Sequence, residues 1–258
     1  MWLKMIEINI IDAFSDNYIY LIRNESKNLT SVVDPGESAP VIKFLKTRNW
    51  HLDEIINTHH HHDHIGGNAE LLNIYKSKLI APIYDKNRIS DIDVYVSDND
   101  LINIAGTKTK VIHTPGHTLG HVCFYMADEK CLFSGDTMFY LGCGRVFEGT
   151  MEQMWSSLIK LRTLPDDTLV YCGHEYTSSN AKFANHIDPN NQLLKEASIE
   201  IKNKREKQLP TIPFELGKEK NINPFLRADD QNLINSIGLK TSDPNESFRT
   251  MRLQKDDF

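Results

Sequence analysis

Residues 58–68 read THHHHDHIGGN and place five of the chain's eleven histidines between positions 59 and 64. In extended backbone, alternate side chains share a face, so His59 and His61 are expected to point at one metal ion. Asp63 and His64 follow as the chain turns through Ile65, Gly66 and Gly67 toward a helical pattern, which lets them face a second ion about 3.5–4 Å from the first. Imidazoles with carboxylates suit zinc, iron or manganese rather than calcium or magnesium. A bare polyhistidine run is the alternative, but Asp63 interrupts it and a double glycine follows. His60 and His62 alternate out of phase and are read as solvent-facing or supporting residues.

At 258 residues, 40% hydrophobic and 25% charged, the chain has the composition of an ordinary globular protein that buries a substantial core. The net charge of −6 argues against a general nucleic-acid surface. Cys123, Cys131, Cys143 and Cys172 show no CxxC spacing, which fits free thiols in a reducing compartment. Glu7 and Asp12 break the apolar N-terminus before it forms a signal-peptide core, and no run approaches the roughly 20 apolar residues of a membrane span. A cytoplasmic monomer with a small-molecule substrate, and with neither membrane nor nucleic-acid partner, is the expectation.

Residues 5–11, 18–23 and 29–34 read as strands of a meander. A helix over 39–49 with Ser38 as N-cap then leads into a strand at 54–57, which delivers the histidine cluster. Residues 68–76 read as helix and 79–83 as strand, while 85–110 give no clear pattern. Alternation resumes at Lys110–His113 and stops at Thr114-Pro115-Gly116, just before His117. Segments 121–126 and 131–134 read as paired strands, the second ending at Gly135-Asp136. A helix over 151–161 ends before Pro165, and a last strand, 168–172, delivers Gly173-His174. His117, Asp136 and His174 thus share one local plan, a strand followed by a turn and then a ligand, as functional loops at one end of a sheet do. Singly each reads as a surface histidine or turn carboxylate; jointly they complete the coordination that residues 59–64 begin. His51, His113 and His186 lack that context. His121 opens a strand, where it could orient a ligand, although an ordinary strand residue is the favoured reading.

THHHHDH matches the HxHxDH signature of the metallo-β-lactamase superfamily, and TPGHTLGH (114–121), FSGDT (133–137) and CGHEYT (172–177) resemble its remaining ligand motifs in order. Within that superfamily, GCGRVFEGT (142–150), GHEYTSSNAKFA (173–184), NPFLR (223–227) and FRTMRLQKDDF (248–258) make the chain similar to the glyoxalase II family, the hydroxyacylglutathione hydrolases. The resemblance implies an α+β fold. An αββα four-layer sandwich over 1–173 would carry a binuclear metal domain, and a small all-helical glutathione-binding domain would follow over 174–258. Helical patterns at 190–208, 230–238 and 245–255, with a long connection at 210–224, agree with the second part.

The resemblance further implies that His59, His61 and His117 hold one divalent ion and Asp63, His64 and His174 the other, with Asp136 bridging. Zinc is the expected metal, iron and manganese being compatible. A hydroxide between the ions, placed by Asp63 and Asp136, would attack a thioester carbonyl. A thiol of pKa about 8.5 then leaves as thiolate with little need of a general acid. The expected reaction is hydrolysis of S-(2-hydroxyacyl)glutathione, S-D-lactoylglutathione giving D-lactate and glutathione in the second step of methylglyoxal detoxification. Arg145, Phe147, Tyr176, Arg252 and Lys255 match glutathione-contact positions, and arginine's planar fork suits its carboxylates. Phe147 stands where some members have tyrosine. Arg249 reads as structural, and Cys143 as packing. A persulfide dioxygenase and an RNA-processing nuclease of the same superfamily are the alternative readings.

Overall fold

The computed structural model describes residues 6–258; Met5, where the first strand was expected to start, lies outside the described residues. The chain forms two compact units: residues 1–113 with 120–135, and residues 114–119 with 136–258.

The first unit opens with β1 (Glu7–Ala13), β2 (Asn17–Asn24) and β3 (Leu29–Val33), an antiparallel meander. Helix α1 (Ser38–Arg48) follows, with Glu37 rather than Ser38 at its N-cap. Strand β4 (Glu54–Ile56), the helical turn α2 (His62–Ile65), α3 (Asn68–Tyr75) and β5 (Lys78–Pro82) come next. The 85–110 stretch, unreadable in sequence, holds β6 (Val94–Val96) and β7 (Leu101–Ile104) before β8 (Thr107–His113). Strands β3 to β6 pair in parallel, extending the meander into a mixed sheet. Strands β7, β8, β9 (Val122–Met126) and β10 (Cys131–Gly135) form an antiparallel run.

Every residue of β2 is buried, as expected of a strand covered on both faces. Ile19 and Leu21 point into a core with Val32, Val41, Leu45, Ile55, Leu71 and Leu79, which seats α1 and α3 on one side of the mixed sheet. Tyr20 points the other way, its ring 5.5 Å from Phe133 of β10. The two β layers are also joined by polar contacts: the Ala105 amide donates to Ser31 Oγ and Glu54 Oε2, and Asn24 Nδ2 donates to the Ala105 carbonyl.

In the second unit, β11 (Met138–Phe139) and β12 (Gly142–Cys143) form a small hairpin, followed by α4 (Met151–Arg162) and β13 (Leu169–Cys172). Thr150 and Gln153 close a reciprocal capping box on α4, a device worth about 1 kcal/mol. Helix α5 (Thr177–Ile187), which begins within the GHEYTSSNAKFA motif and runs past its end, and α6 (Gln192–Glu206) pack together. The 210–224 connection contains β14 (Phe214–Glu215), paired with β13, and α7 (Leu216–Ile222). The 168–172 strand is therefore not the last; β14 is too short for its pattern to register in sequence. Helices α8 (Gln231–Ser236) and α9 (Pro244–Asp257) complete the unit. Phe183 stacks on Phe225, Phe225 meets Phe248 edge-on, and Phe248 packs against Trp155, forming an aromatic core.

Candidate metal centre

Each unit holds one set of candidate ligands, built by a different route. In the first unit the chain leaves β4 through Asn57 and Thr58, bends through His59–His61 and enters α2. His59 Nε2 lies 3.1 Å from His61 Nδ1, so the expected alternation does turn these two rings toward one point. One turn on, His64 is buried and its Nε2 stands 3.5 Å from Asp63 Oδ2.

The hub behind this set is Asp34, a buried carboxylate immediately after β3. It accepts the Thr58 amide at 2.8 Å and the Thr58 hydroxyl at 2.7 Å, and its Oδ2 is 3.1 Å from His64 Nδ1. Thr58 Oγ1 in turn lies 3.0 Å from His59 Nδ1. Both rings thus spend their Nδ1 protons outward and present Nε2 lone pairs, the tautomer that a metal ligand needs. Asn17 Nδ2 donates to Asp63 Oδ2 at 2.9 Å, fixing that carboxylate too. Sequence reasoning missed Asp34 and Asn17. Asp34 had a signal, since it ends a strand before Pro35-Gly36 just as Asp136 ends one, but Asn17 had none. His60 faces Asp85 at 3.1 Å with Arg88 beside it, while His62 is exposed. His121 is fully buried, its ring 4.9 Å from that of His59, so it packs against a candidate ligand.

In the second unit three distant loops converge. Asp136 Oδ2 is 3.4 Å from His117 Nε2 and 3.3 Å from His174 Nε2, a single carboxylate oxygen between two imidazoles. His117 Nδ1 lies 2.9 Å from the Arg145 carbonyl, which again turns Nε2 inward. The His117 loop is pinned from several sides: its carbonyl accepts the Phe147 amide, Ser157 Oγ donates to the Pro115 carbonyl, and Thr137 Oγ1 donates to Thr114 Oγ1. Gly116 is required where it stands, since a Cβ would come 2.8 Å from Met154 Cβ on α4. Gly144 is required as well, because a Cβ would fall on the Asp136 carbonyl oxygen.

These separations test whether the residues suit a metal. Two donors each about 2.0–2.1 Å from one tetrahedral ion stand roughly 3.3 Å apart. The ligand-atom pairs span 3.1–3.5 Å in both units. Neutral imidazoles with carboxylates are also the correct donor chemistry, so the residues fit.

The expected substrate residues all lie in the second unit. Arg145 and Phe147 are more than half exposed, and Phe147 stands 5.2 Å from the His117 ring. Tyr176 stacks on His174 with centroids 4.7 Å apart and planes 5° from parallel. Lys255 donates to Ser179 Oγ at 2.9 Å; partial burial, then the charges of Arg252 and Arg145, pull its ammonium below the usual lysine range. Arg252 lies beneath this surface at 3% exposure, donating to the Cys143 carbonyl and to Asp256, which also faces Arg145 Nε at 3.4 Å. Burial pushes the Cys143 thiol up to about 11, so it holds no nucleophilic thiolate near neutral pH. All four cysteines are free and buried. Among the described residues no helix is long and apolar enough to cross a membrane.

The family model of the metallo-β-lactamase superfamily matches residues 13–174, and that of the hydroxyacylglutathione hydrolase C-terminus matches residues 175–258. A hydroxyacylglutathione hydrolase of Pelagibacter ubique is 46% identical over 98% of this chain and 100% of its own length. Among solved structures, ETHE1 from Myxococcus xanthus gives a TM-score of 0.67 at 23% identity, over 96% of this chain and 99% of that one. The BLEG-1 B3 metallo-β-lactamase gives 0.67 at 22%, over 85% and 99%. At those identities the two structures speak for the fold alone. Histidine and aspartate ligand sets on a metallo-β-lactamase fold, continued by the matching C-terminal region and by near-full-length relatives, place this chain in the hydroxyacylglutathione hydrolase family of that superfamily.

Proposed function

We propose that the chain hydrolyses S-(2-hydroxyacyl)glutathione thioesters, S-D-lactoylglutathione giving D-lactate and glutathione, as the second step of methylglyoxal detoxification. The observation that carries the reading is the second unit itself, where Asp136 between His117 and His174 is flanked by exposed Arg145, Phe147 and Tyr176. A ligand centre beside an aromatic and cationic surface suits an acyl carrier that bears carboxylates. The near-full-length relatives of the same name favour this over persulfide oxidation or RNA cleavage.

The family and the histidine and aspartate sets point to a binuclear metal site. In the proposed assignment His59, His61 and His117 would hold one divalent ion and Asp63, His64 and His174 the other, and Asp136 would serve both. Zinc suits these donors, and iron and manganese are accepted by the same set. When bound, the pair supplies a water acidic enough to attack at neutral pH and a Lewis acid for the thioester carbonyl. The chain's own residues do the rest. Asp34 and the Arg145 carbonyl hold the rings in the productive tautomer. Arg145 and Lys255 attract the carboxylates of glutathione, while Phe147 and Tyr176 offer flat apolar faces. Arg252 shapes the loop from beneath and adds its charge. The leaving thiol needs no proton donor, and none is required among these residues. We place the protein in the cytoplasm as a monomer.

The test follows loss of thioester absorbance with S-D-lactoylglutathione and, in parallel, with a coenzyme A thioester of the same acyl group. Preference for the glutathione ester by about 100-fold or more in kcat/KM is expected. Equal rates on both would remove the glutathione assignment.

A further inference from the structure

The hairpin Met138–Cys143 has two residues in each strand, with Phe139 paired to Gly142 and Met138 to Cys143. A ribbon that short has no stability of its own, and its turn residue Leu141 sits at φ 57°. Yet Asp136 stands just before it, Arg145 just after it, and Phe139 packs edge-on against the rings of His174 and Tyr176.

The hairpin is held through its main chain by helix-borne and adjacent side chains. Asn223 Nδ2 donates to the Phe139 carbonyl at 3.3 Å and to the Gly142 carbonyl at 3.1 Å, so one amide spans both strands. Glu219 Oε2 accepts the Leu141 amide at 2.8 Å and Asn223 Nδ2 at 2.9 Å. Asn180 donates to the Tyr140 carbonyl, and Arg252 to that of Cys143. Five consecutive residues, 139–143, each have one backbone group satisfied by a side chain. Glu219 and Asn223 are both fully buried, the first in the middle of α7 and the second one turn on, at its C-cap. A carboxyl placed in such surroundings is costly.

We propose that Glu219 and Asn223 are positioning residues for the reaction, clamping the hairpin backbone so that Asp136 at one foot and Arg145 at the other stand in their working places. Neither touches substrate or metal. Glu219 orients the Asn223 amide and holds the turn; Asn223 keeps the two strands in register. The consequence for substrate rests on the glutathione thioester reading; the consequence for metal retention does not.

The experiment uses the full-length, metal-loaded protein and the variants Glu219→Met, Asn223→Ala and Glu219→Gln. Metal release to a chelator, kcat and KM are measured, with amide exchange over residues 138–146. Glu219→Met keeps bulk and removes the acceptor; Asn223→Ala removes the donors. Both are expected to release metal about tenfold faster and to lose about tenfold in kcat/KM, with faster exchange confined to the hairpin. Glu219→Gln, which keeps an acceptor oxygen, should restore both quantities to within about threefold. A lowered melting temperature with unchanged metal release and kcat/KM would overturn the proposal, as would Glu219→Gln behaving like Glu219→Met. Should the deletion variants fail to fold, exchange in the parent decides: core-like protection of the Leu141 amide is expected, and loop-like exchange would refute the clamp. Normal clamping without thioester hydrolysis would count against the substrate instead.

Discussion

The two ligand sets differ in how they are made. The first takes His59, His61, Asp63 and His64 from six consecutive residues and needs only one bend and one helical turn. The second takes His117, Asp136 and His174 from three loops, the His117 loop held by the Arg145–Phe147 segment and tied to the Asp136 loop through Thr137 and Thr114. A local set is legible in sequence and depends on what orients it from behind; an assembled set depends on the loops that bring it together. Loss of a ligand should be severe in either, whereas loss of a supporting residue should separate them.

The largest effect is expected from Asp136→Ala, which removes the oxygen that both His117 and His174 face. Thioester hydrolysis should fall by about 10³-fold or more, with fewer metals retained per chain by elemental analysis. A variant with unchanged metal content and rate would end the shared role of Asp136. Next comes Asp34→Ala, which leaves all proposed ligands in place but deprives Thr58 and His64 of their partner. Metal affinity, titrated into apoprotein, should weaken by about 10- to 100-fold. A smaller change would mean that the cluster orients itself.

Arg145→Ala sharpens the comparison from the substrate side. It should raise KM by about tenfold with kcat nearly unchanged in steady-state kinetics, because it removes attraction for carboxylates and no ligand. The smallest effect concerns pH. Burial pushes the Glu219 carboxyl up to about 8, above its ordinary 4.5. Between those values the native protein keeps a proton that the unfolded chain has released, so this group's contribution is fully present below about pH 4.5 and is lost as pH rises to about 8. Glu219→Gln has no such loss. Its melting temperature relative to the parent should therefore climb from pH 5 to pH 8 and then level off in thermal scans.

What the sequence disclosed follows the same division. Long periodic segments such as α1, α4 and α6 were legible within a residue or two, because amphipathic spacing and Pro165 mark them. The 85–110 stretch hid β6 and β7, which are short and carry exposed residues, so alternation had too few positions to register. Helix α5 was masked by the polar GHEYTSSN run that opens it. At the site, the proposed ligands could be named because histidine and aspartate after strands form a pattern. Asp34, Asn17, Asn180, Glu219 and Asn223 could not, because their work is hydrogen bonding across long sequence separations. A buried glutamate in a short helix looks like any surface residue until its partners are known.

The proposed thioesterase depends on two divalent ions. The most direct measurement strips the protein with chelator, confirms that it remains folded, and titrates zinc back while hydrolysis of S-D-lactoylglutathione and bound metal are read on the same samples. The stripped protein should show no hydrolysis, and activity should rise to a plateau at about two equivalents per chain. Full loading with no hydrolysis, or hydrolysis that survives stripping, would contradict the thioesterase proposal.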